Sequence, residues 1–203
     1  MPKRVDHDLR RFQIAEALWK IAATRGLEEV SMRQVAAEAG FSTRLVQYYF
    51  DTRDRLLIEA LALRNEYDRK RIERQLSENA SPRETIRVLL LGLLPLDDAS
   101  RQTTLIHLAY GIRAVSDPLL AEHVRSRSEP GLEELVADML RAAQIQGEIN
   151  DGLDLAREAE TLLALAGGMT YDVLMGLRTA DDAIALVDYN LQRVFQTVAA
   201  RSL

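Results

Sequence analysis

Three polar side chains, Thr43, Arg44 and Gln47, lie close together on a segment with the pattern of a short helix. Their spacing places them near the start of that helix, on its outer side. Arginine can donate two parallel hydrogen bonds to guanine, and glutamine can bond to adenine in a similar way. These residue types in this order predict a surface that contacts base edges in duplex DNA.

Two tyrosines and an arginine follow directly: Tyr48, Tyr49 and Arg53. A phenolic hydroxyl on a rigid ring donates to a phosphate at little entropic cost, and a guanidinium binds it with a fork of N–H groups. The alternative is that the tyrosines pack between helices and the arginines are only solvated. For any one residue both interpretations stand equally, whereas the whole set fits the geometry of a nucleic-acid contact.

The surrounding stretch, SMRQVAAEAGFSTRLVQYYFDTRD, supplies the elements that position these groups. Ser31 is suited to cap one helix and Ser42 the next, with Gly40 at the turn between them. The apolar residues between the two helices are small or medium-sized, which permits a close crossing: Val35, Ala36, Ala39 and Val46. The pattern predicts a helix-turn-helix, with its second helix in the major groove.

The rest of the 203-residue chain also has helical periodicity. It predicts about nine helices and no strand, an all-α fold in which a three-helix helix-turn-helix domain precedes a larger helical domain. We place the domains at residues 1–55, which bind DNA, and 56–203, which bind an effector and dimerise. The last two helices are predicted over about Leu155–Leu177 and Asp181–Ala200.

Composition narrows the function classes. The net charge is −5 and cysteine is absent, which excludes disulfides, thiol nucleophiles and cysteine zinc sites and suits a reducing cytoplasm. No apolar run is long enough to predict a membrane span, and the start MPKRVDHDLRR has no secretory pattern. His7, His107 and His123 are far apart, so no metal is expected, and no phosphate loop or nucleophile elbow indicates an enzyme or a cofactor.

The segment VSMRQVAAEAGFSTRLVQYYFDTRDRLL, preceded by IAEALWKIAATRG, resembles the N-terminal domain of TetR-family transcriptional regulators. LVQYYF and Trp19 are similar to the BetI-like branch, that of the choline repressors. The resemblance implies base or backbone contacts from the second helix, bases read from the third, and phosphates held at its end. Carried over position by position, it implies ten DNA-binding residues: Ser31, Arg33, Ser42, Thr43, Arg44, Leu45, Gln47, Tyr48, Tyr49 and Arg53.

This chain departs from the usual family pattern at four positions. Phe41 stands where Val or Ile is usual, and Asp51 where Pro is usual. Arg53 replaces the usual Lys and keeps its charge. Arg44 stands where Gly or Pro is common, which suggests a longer side chain in the groove and a distinct operator preference.

TLLALAGGMTYDVL is similar to the penultimate helix of BetI-like regulators, whose last two helices form a four-helix bundle with their two-fold mates. Small residues here permit close approach of helices, and apolar ones offer area. We expect a dimer interface formed by Leu163, Gly167, Met169, Val173, Leu191, Val194 and Phe195. The alternative is that these stripes only close the core of one chain.

In this family the middle helices enclose a ligand, and here the sequence is least informative. On TTLIHLAYGIRAV we predict a buried stripe of Leu105, Leu108, Ala109, Ile112 and Val115. His107, Tyr110 and Arg113 flank it and fit either a cavity that contacts an acidic or polar effector or the solvent side of the helix. Tyr171 is a further candidate. Trp19 lies in the DNA-binding part, which argues against an aromatic cage around the effector.

The favoured hypothesis is a homodimeric repressor that binds a palindromic DNA operator and is released by a small-molecule effector. A different class is a small-molecule-binding or adaptor protein whose helix-turn-helix no longer reads DNA, for which Phe41, Arg44 and Asp51 leave room. No residue can be nominated as the nucleophile or base of an enzyme. The effector, the operator, the number of dimers on it, the regulated genes and the sign of regulation lie beyond the sequence.

Overall fold

The structure, a computed structural model, describes residues 6–77, 79–126 and 131–195, and these contain helices and no strand. This confirms the predicted all-α class, with ten α-helices where about nine were expected. A short 3-10 helix, Leu27–Glu29, lies between the first two. The helices are α1 (His7–Arg25), α2 (Met32–Ala39), α3 (Thr43–Phe50), α4 (Arg53–Glu73), α5 (Pro82–Gly92), α6 (Asp98–Ser116), α7 (Pro118–Ser126), α8 (Leu132–Ile145), α9 (Leu155–Leu174) and α10 (Ala180–Val194).

Side-chain caps explain where several helices begin. The Ser31 hydroxyl accepts a hydrogen bond from the Gln34 amide at 3.2 Å, and Ser42 accepts one from Leu45 at 3.2 Å, as the sequence predicts. Gly40 ends α2 with a φ of 70°, a left-handed conformation that glycine adopts without a Cβ clash. Ser81 forms a reciprocal capping box at the start of α5.

The chain divides into two compact units. One contains the residues up to Lys70 and those from Leu105 to Arg127, and the other contains Arg71–Thr104 and the residues from Ser128 onward. The divisions fall within α4 and within α6. This division follows compactness rather than function, so the functional boundary between residues 55 and 56 stays a prediction.

The first unit has a core built from α1, α2, α3, the first part of α4 and the last part of α6. Ile14, Leu18, Val46, Phe50 and Leu56 are completely buried there. Each such side chain contributes about 1.5–3 kcal/mol relative to an exposed position. The helix-turn-helix therefore rests on a shared apolar core.

The second unit has its own core, which contains Ile86, Leu140, Leu162 and Val187. An ion pair on its surface joins α5 to α10: Arg87 donates to both carboxylate oxygens of Asp188 at 2.5 and 2.9 Å. These bonds hold the pKa of the Asp188 carboxyl below its usual value. The unit thus has independent apolar and polar links between its helices.

The predicted buried stripe of α6 is wrong in its rotation. Ile112 and Val115 are 73% and 89% exposed, and Leu108 is also exposed. The buried positions of the same helix include Ile106 and Tyr110 instead. Inside the core, the Tyr110 hydroxyl donates a hydrogen bond to the Leu57 carbonyl at 2.9 Å. This bond allows a tyrosine to be buried, because its polar group has a partner.

The residues predicted in a dimer interface differ in their exposure, and that interface stays a prediction. Met169, Leu191 and Val194 are buried in the core of their own unit, so they have no area to offer a partner while that core is intact. Leu163, Val173 and Phe195 are half-buried and pack against the same core, and Gly167 is exposed. Along α9 and its C-cap, the exposed small and apolar residues include Ala164, Gly167, Gly168, Tyr171 and Met175, of which Gly167 belongs to the predicted interface.

A strained turn joins α3 to α4. Asp51 has φ 59° and ψ −64°, and the Thr52 amide donates to the Phe50 carbonyl across it at 2.6 Å. This is the γ-turn with positive φ, a conformation that is rare and strained for a residue with a Cβ atom. The turn sets where α4 leaves the helix-turn-helix.

Asp51→Gly is expected to raise the free energy of unfolding by about 1 kcal/mol, because relief of the strain exceeds the entropic cost of a glycine. The measurement is chemical or thermal unfolding, with Tm rising by about 2–4 °C. Asp54→Gly is the matched control, since Asp54 lies in the first turn of α4 and glycine there lowers stability. Equal destabilisation by both substitutions would disprove the strain.

Arg53, the first residue of α4, ties this helix to the segment before α2. Its Nε donates to the Val30 carbonyl at 2.6 Å, and its Nη2 donates to the Leu27 carbonyl at 2.9 Å. Both acceptor residues are buried. Without the guanidinium these two carbonyls would lose a charged donor in a largely dry environment.

Arg53→Ala is therefore expected to lower the free energy of unfolding by about 2 kcal/mol. Denaturant titration measures the change. Arg55→Ala is the control, because Arg55 forms only an exposed pair with Glu59 one turn along α4 and should cost less than about 0.5 kcal/mol. If both variants lose the same stability, Arg53 is not a structural anchor.

Candidate nucleic-acid interface

Helices α2 and α3 pack as a helix-turn-helix within the first unit. Val35, Ala36 and Val46 are buried between the two helices and their neighbours, as the sequence predicts. A left-handed Gly40 makes the connection, and Phe41 packs partly buried against the core, with the Arg10 guanidinium 4.9 Å from its ring centre. The larger Phe41 is thus accommodated without disturbing the motif.

The outer face of α3 carries the predicted base-contacting side chains. Arg44 and Gln47 are exposed, and Thr43 is half-exposed beside them. Ser42 is exposed, but its oxygen already accepts the Leu45 amide. Leu45 is half-buried and packs against the core. The structure therefore leaves Arg44 and Gln47 as the longest free groups at the start of the helix.

From α2, Arg33 is exposed, whereas Ser31 is used locally. The Ser31 hydroxyl donates to the Gln34 side-chain oxygen at 2.6 Å and accepts from the Gln34 amide. Among the described residues, no carboxylate forms an ion pair with Arg33 or Arg44. Two guanidinium groups on this side of the motif are thus available to an anionic partner.

The two tyrosines at the end of α3 have different environments. Tyr48 is 72% exposed, whereas Tyr49 is only 7% exposed, and their rings meet edge to face with centres 5.2 Å apart. The Tyr49 hydroxyl lies 3.1 Å from Nδ1 of His7, at the start of α1. The sequence interpretation assigned no role to His7, because nothing in its local pattern shows a contact 42 positions away.

The Arg53 side chain also makes structural hydrogen bonds that its sequence position does not indicate. Two of its three guanidinium nitrogens bond to the Val30 and Leu27 carbonyls. Of the three guanidinium nitrogens of Arg53, only Nη1 makes no hydrogen bond to the described residues. A phosphate contact by Arg53 stays a prediction, and Nη1 is the atom left for it.

The effector candidates His107, Tyr110 and Arg113 all belong to the first unit and have partners there. His107 Nε2 lies 3.1 Å from Asp68 Oδ2, and Arg113 donates to Glu28 at 3.1 Å. Tyr110 is buried, and that burial raises the pKa of its hydroxyl. Each of these three side chains contacts another part of its own unit, and an effector contact by any of them stays a prediction.

Asp68 lies at the centre of the most buried polar group in this unit. Arg64 forms a fork onto it at 2.8 and 2.6 Å, with its guanidinium 5.2 Å from the ring centres of Trp19 and Tyr67. Burial alone would raise the pKa of Asp68, but hydrogen bonds from His107 and Arg64 outweigh it and hold the pKa below its usual value. These contacts link α1, α4 and α6 within the first unit.

Tyr171, the fourth effector candidate, belongs to the second unit and is 62% exposed on α9. Gly167 and Gly168 lie on the same side, and a Cβ atom added at either would meet no other atom within 4 Å. Tyr189 and Ala185 are exposed on α10. These two helices therefore present an outer surface of small residues and tyrosines that the single chain does not cover.

Other site types find little support in the described residues. A groove of about 310 Å³ is lined by Ala62, Asn65, Glu66 and Arg69, all from α4, so it is a surface feature of one helix. No group of three or more His, Asp or Glu side chains within the described ranges is arranged to hold a metal ion. Within the same ranges, none of the helices combines the length and apolar character needed to cross a bilayer.

Comparison with known proteins agrees with the helix-turn-helix. Residues 14–60 match the family model of the tetR family of bacterial regulatory proteins. Residues 82–196 match the model for the C-terminal region of BetI-type transcriptional repressors. Together the two matches include α2, α3 and most of the second unit.

Two similar proteins are transcriptional regulators, and the alignments with them include most of both chains. The chain is 29% identical to the transcriptional regulator PksA of Bacillus subtilis, covering 86% of this chain and 83% of PksA. It is 27% identical to BetI of Paraburkholderia xenovorans, covering 92% and 97%.

Solved structures show the same fold. A TetR-family regulator from Rhodococcus sp. superposes with a TM-score of 0.82 at 27% identity, covering 93% of this chain and all of that one. A regulator from Saccharomonospora viridis, solved in complex with choline, has a TM-score of 0.81 at 24% identity and covers 91% and 96%.

The matched families consist of transcriptional regulators rather than enzymes, which agrees with the lack of a candidate nucleophile or base. The match to the tetR-family model includes the helix-turn-helix, and the match to the BetI-type model follows it along the chain. The chain belongs to the TetR family of bacterial transcriptional regulators and carries a C-terminal region of the BetI repressor type.

Proposed function

We propose that this regulator represses transcription by inserting α3 into the major groove of a palindromic operator. The observation that carries the proposal is the pair Arg44 and Gln47, exposed on a short helix whose other side is locked into the core. Arg44 donates to guanine and Gln47 bonds to adenine in the adjacent step. Thr43, Ser42 and Leu45 border these contacts.

Phosphate contacts fix the register of α3 in the groove. Arg33 from α2 and Tyr48 from α3 are exposed enough to reach the sugar-phosphate backbone on either side. Tyr49 presents its hydroxyl at the edge of α1, and Arg53 contributes Nη1. Ser31 serves mainly to start α2 and so holds Arg33 in place.

A homodimer supplies the second reading helix. The uncovered surface of α9 and α10, with Gly167, Gly168, Tyr171, Met175 and Tyr189, is suited to pack against the same surface of another copy. Glycines let the helices approach closely, and the tyrosines and Met175 provide area. Two α3 helices about 34–36 Å apart then address both halves of a palindrome.

The effector acts by shifting populations. A small molecule that binds preferentially to a state with misaligned reading helices lowers operator affinity by its difference in affinity for the two states. The second unit contains three aromatic residues, Tyr171, Tyr189 and Phe195. The two tyrosines are exposed, so an aromatic cage for a quaternary ammonium group is not available from buried rings.

Operator binding is tested with sequences selected from a random duplex library. Arg44→Ala should weaken the selected sequence by about 1–3 kcal/mol and leave mixed-sequence DNA nearly unaffected, because only a base contact is lost. Fluorescence anisotropy at several salt concentrations measures both affinities.

Arg25→Ala is the matched control, since Arg25 is exposed at the end of α1. It lies outside the outer face of α3 that carries Thr43, Arg44 and Gln47, which we call the reading surface. It should leave discrimination between the two DNA probes intact. If the library yields no preferred sequence, or if Arg44→Ala weakens both probes equally, the proposed base contact is wrong. A folded protein that binds no DNA at low salt would favour the adaptor class.

The dimer is tested at Gly168. Gly168→Lys should raise the dimer dissociation constant at least about tenfold, because an added Cβ meets nothing within 4 Å in its own chain and the long charged side chain would meet the partner helix. Sedimentation equilibrium measures the change. Gly111→Lys is the control, because Gly111 is also helical, exposed and free of neighbours within 4 Å, but lies on α6. Equal effects of both variants would place the interface elsewhere.

A further inference from the structure

His7 and Tyr49 form a hydrogen-bonded pair at the edge of the reading surface. His7 is the first residue of α1 and is exposed, and its Nδ1 lies 3.1 Å from the Tyr49 hydroxyl oxygen. The two rings are tilted, with centres 5.7 Å apart. Tyr49 is otherwise buried, and its hydroxyl contacts the exposed residue His7 in a part-buried hydrogen bond.

We propose that His7 is a positioning residue for DNA binding, which decides whether the Tyr49 hydroxyl can donate its proton to a phosphate. The inference rests on the proposed function, since it requires Tyr49 to meet the DNA backbone. It assigns a role to a histidine that neither the helix-turn-helix pattern nor the family resemblance singles out.

The physical basis is that a phenol has one proton and a phosphate only accepts. If Nδ1 of neutral His7 carries no proton, it accepts the hydrogen bond, and the Tyr49 oxygen then presents only lone pairs to the outside. If Nδ1 carries a proton, it donates to the Tyr49 oxygen. The hydroxyl proton is then free for a phosphate oxygen.

Protonation of His7 selects the second arrangement, because both ring nitrogens of an imidazolium are donors. A phosphate that binds at Tyr49 therefore favours protonated His7, and the positive charge adds to the attraction. By linkage, the DNA complex holds more protons than the free protein. We therefore expect DNA to bind more tightly at a pH that favours imidazolium than at one that favours neutral imidazole.

Within the described ranges, the following ionisable groups lie next to this pair in sequence or on the elements that carry it. On α1 they are Asp6 and Asp8 beside His7, and Arg11 one turn further along, which forms an ion pair with Glu59. From α3 they are Tyr48, whose ring meets that of Tyr49 edge to face, and Tyr49 itself. The Asp6 carboxylate caps α1 through the Leu9 amide, so it is already held in place.

The other two histidines make no comparable contact. His107 faces Asp68, and Nδ1 of His123 lies 2.9 Å from the Leu119 carbonyl on its own helix. Neither of these two contacts includes a residue of the reading surface. His123 is therefore available as a matched control for the general effects of removing a histidine.

The experiment measures binding of a fluorescein-labelled duplex of mixed sequence by anisotropy at low salt, at about pH 6 and about pH 8. Mixed sequence suffices because phosphate contacts do not depend on the bases. The wild type is expected to bind about five- to tenfold more tightly at the lower pH. His7→Asn should abolish most of this gain, because an amide donates to Tyr49 at either pH and does not titrate.

Tyr49→Phe should also lose the gain, whereas His123→Asn should keep it. Equal thermal unfolding of the variants shows that they are folded. If His7→Asn or Tyr49→Phe keeps the wild-type gain, the inference is wrong while DNA binding itself stands. If the wild type binds no duplex at either pH, the proposed function fails instead.

Discussion

Side-chain donors that bond to backbone carbonyls hold α4 in place, and the reading surface depends on them. The Trp19 indole donates to the Ala60 carbonyl at 3.1 Å, and Tyr110 donates to Leu57 at 2.9 Å. Arg53 donates in the opposite direction, from α4 to the segment before α2. Each bond is wholly or partly buried, where an unpaired polar group would be costly. A displacement of α4 relative to α1 or to the segment before α2 would break at least one of these bonds.

Because these bonds hold the helices in place, the side chains on the outer face of α3 are not needed for packing. Arg44 and Gln47 contribute no visible packing, so their types are free to be chosen by the partner rather than by the fold. The strained backbone of Asp51 also depends on the fixed elements around it, because such a conformation persists only where both flanking helices are held in place. Precision at a binding site comes from the elements beneath it.

The local parts of this arrangement could be predicted and the long-range parts could not. Ser31, Gly40 and Ser42 act within their own turns, so short-range pattern sufficed for the helix-turn-helix. On α9 two neighbouring stripes are both apolar or small, and periodicity cannot tell which of them meets the chain's own core. Met169 consequently proved internal, while Tyr171 and Met175 are exposed. The roles of Tyr110 and His7 depend on partners 53 and 42 positions away.

The buried Arg64–Asp68 pair shows why such long-range polar contacts are kept. An apolar pair of similar volume often gives equal or greater stability, so the ion pair is not explained by stability alone. Its geometry is demanding, because Arg64 must form a fork onto Asp68 and lie near Trp19 and Tyr67 at once. A rotation of α4 about its axis would break all of these contacts together. The lowered pKa of Asp68 means that this contribution is present above the carboxyl's ordinary pKa in the unfolded chain and is lost as the pH falls through its folded value. The pair therefore fixes the rotation of the helix that begins at the reading surface throughout the neutral range.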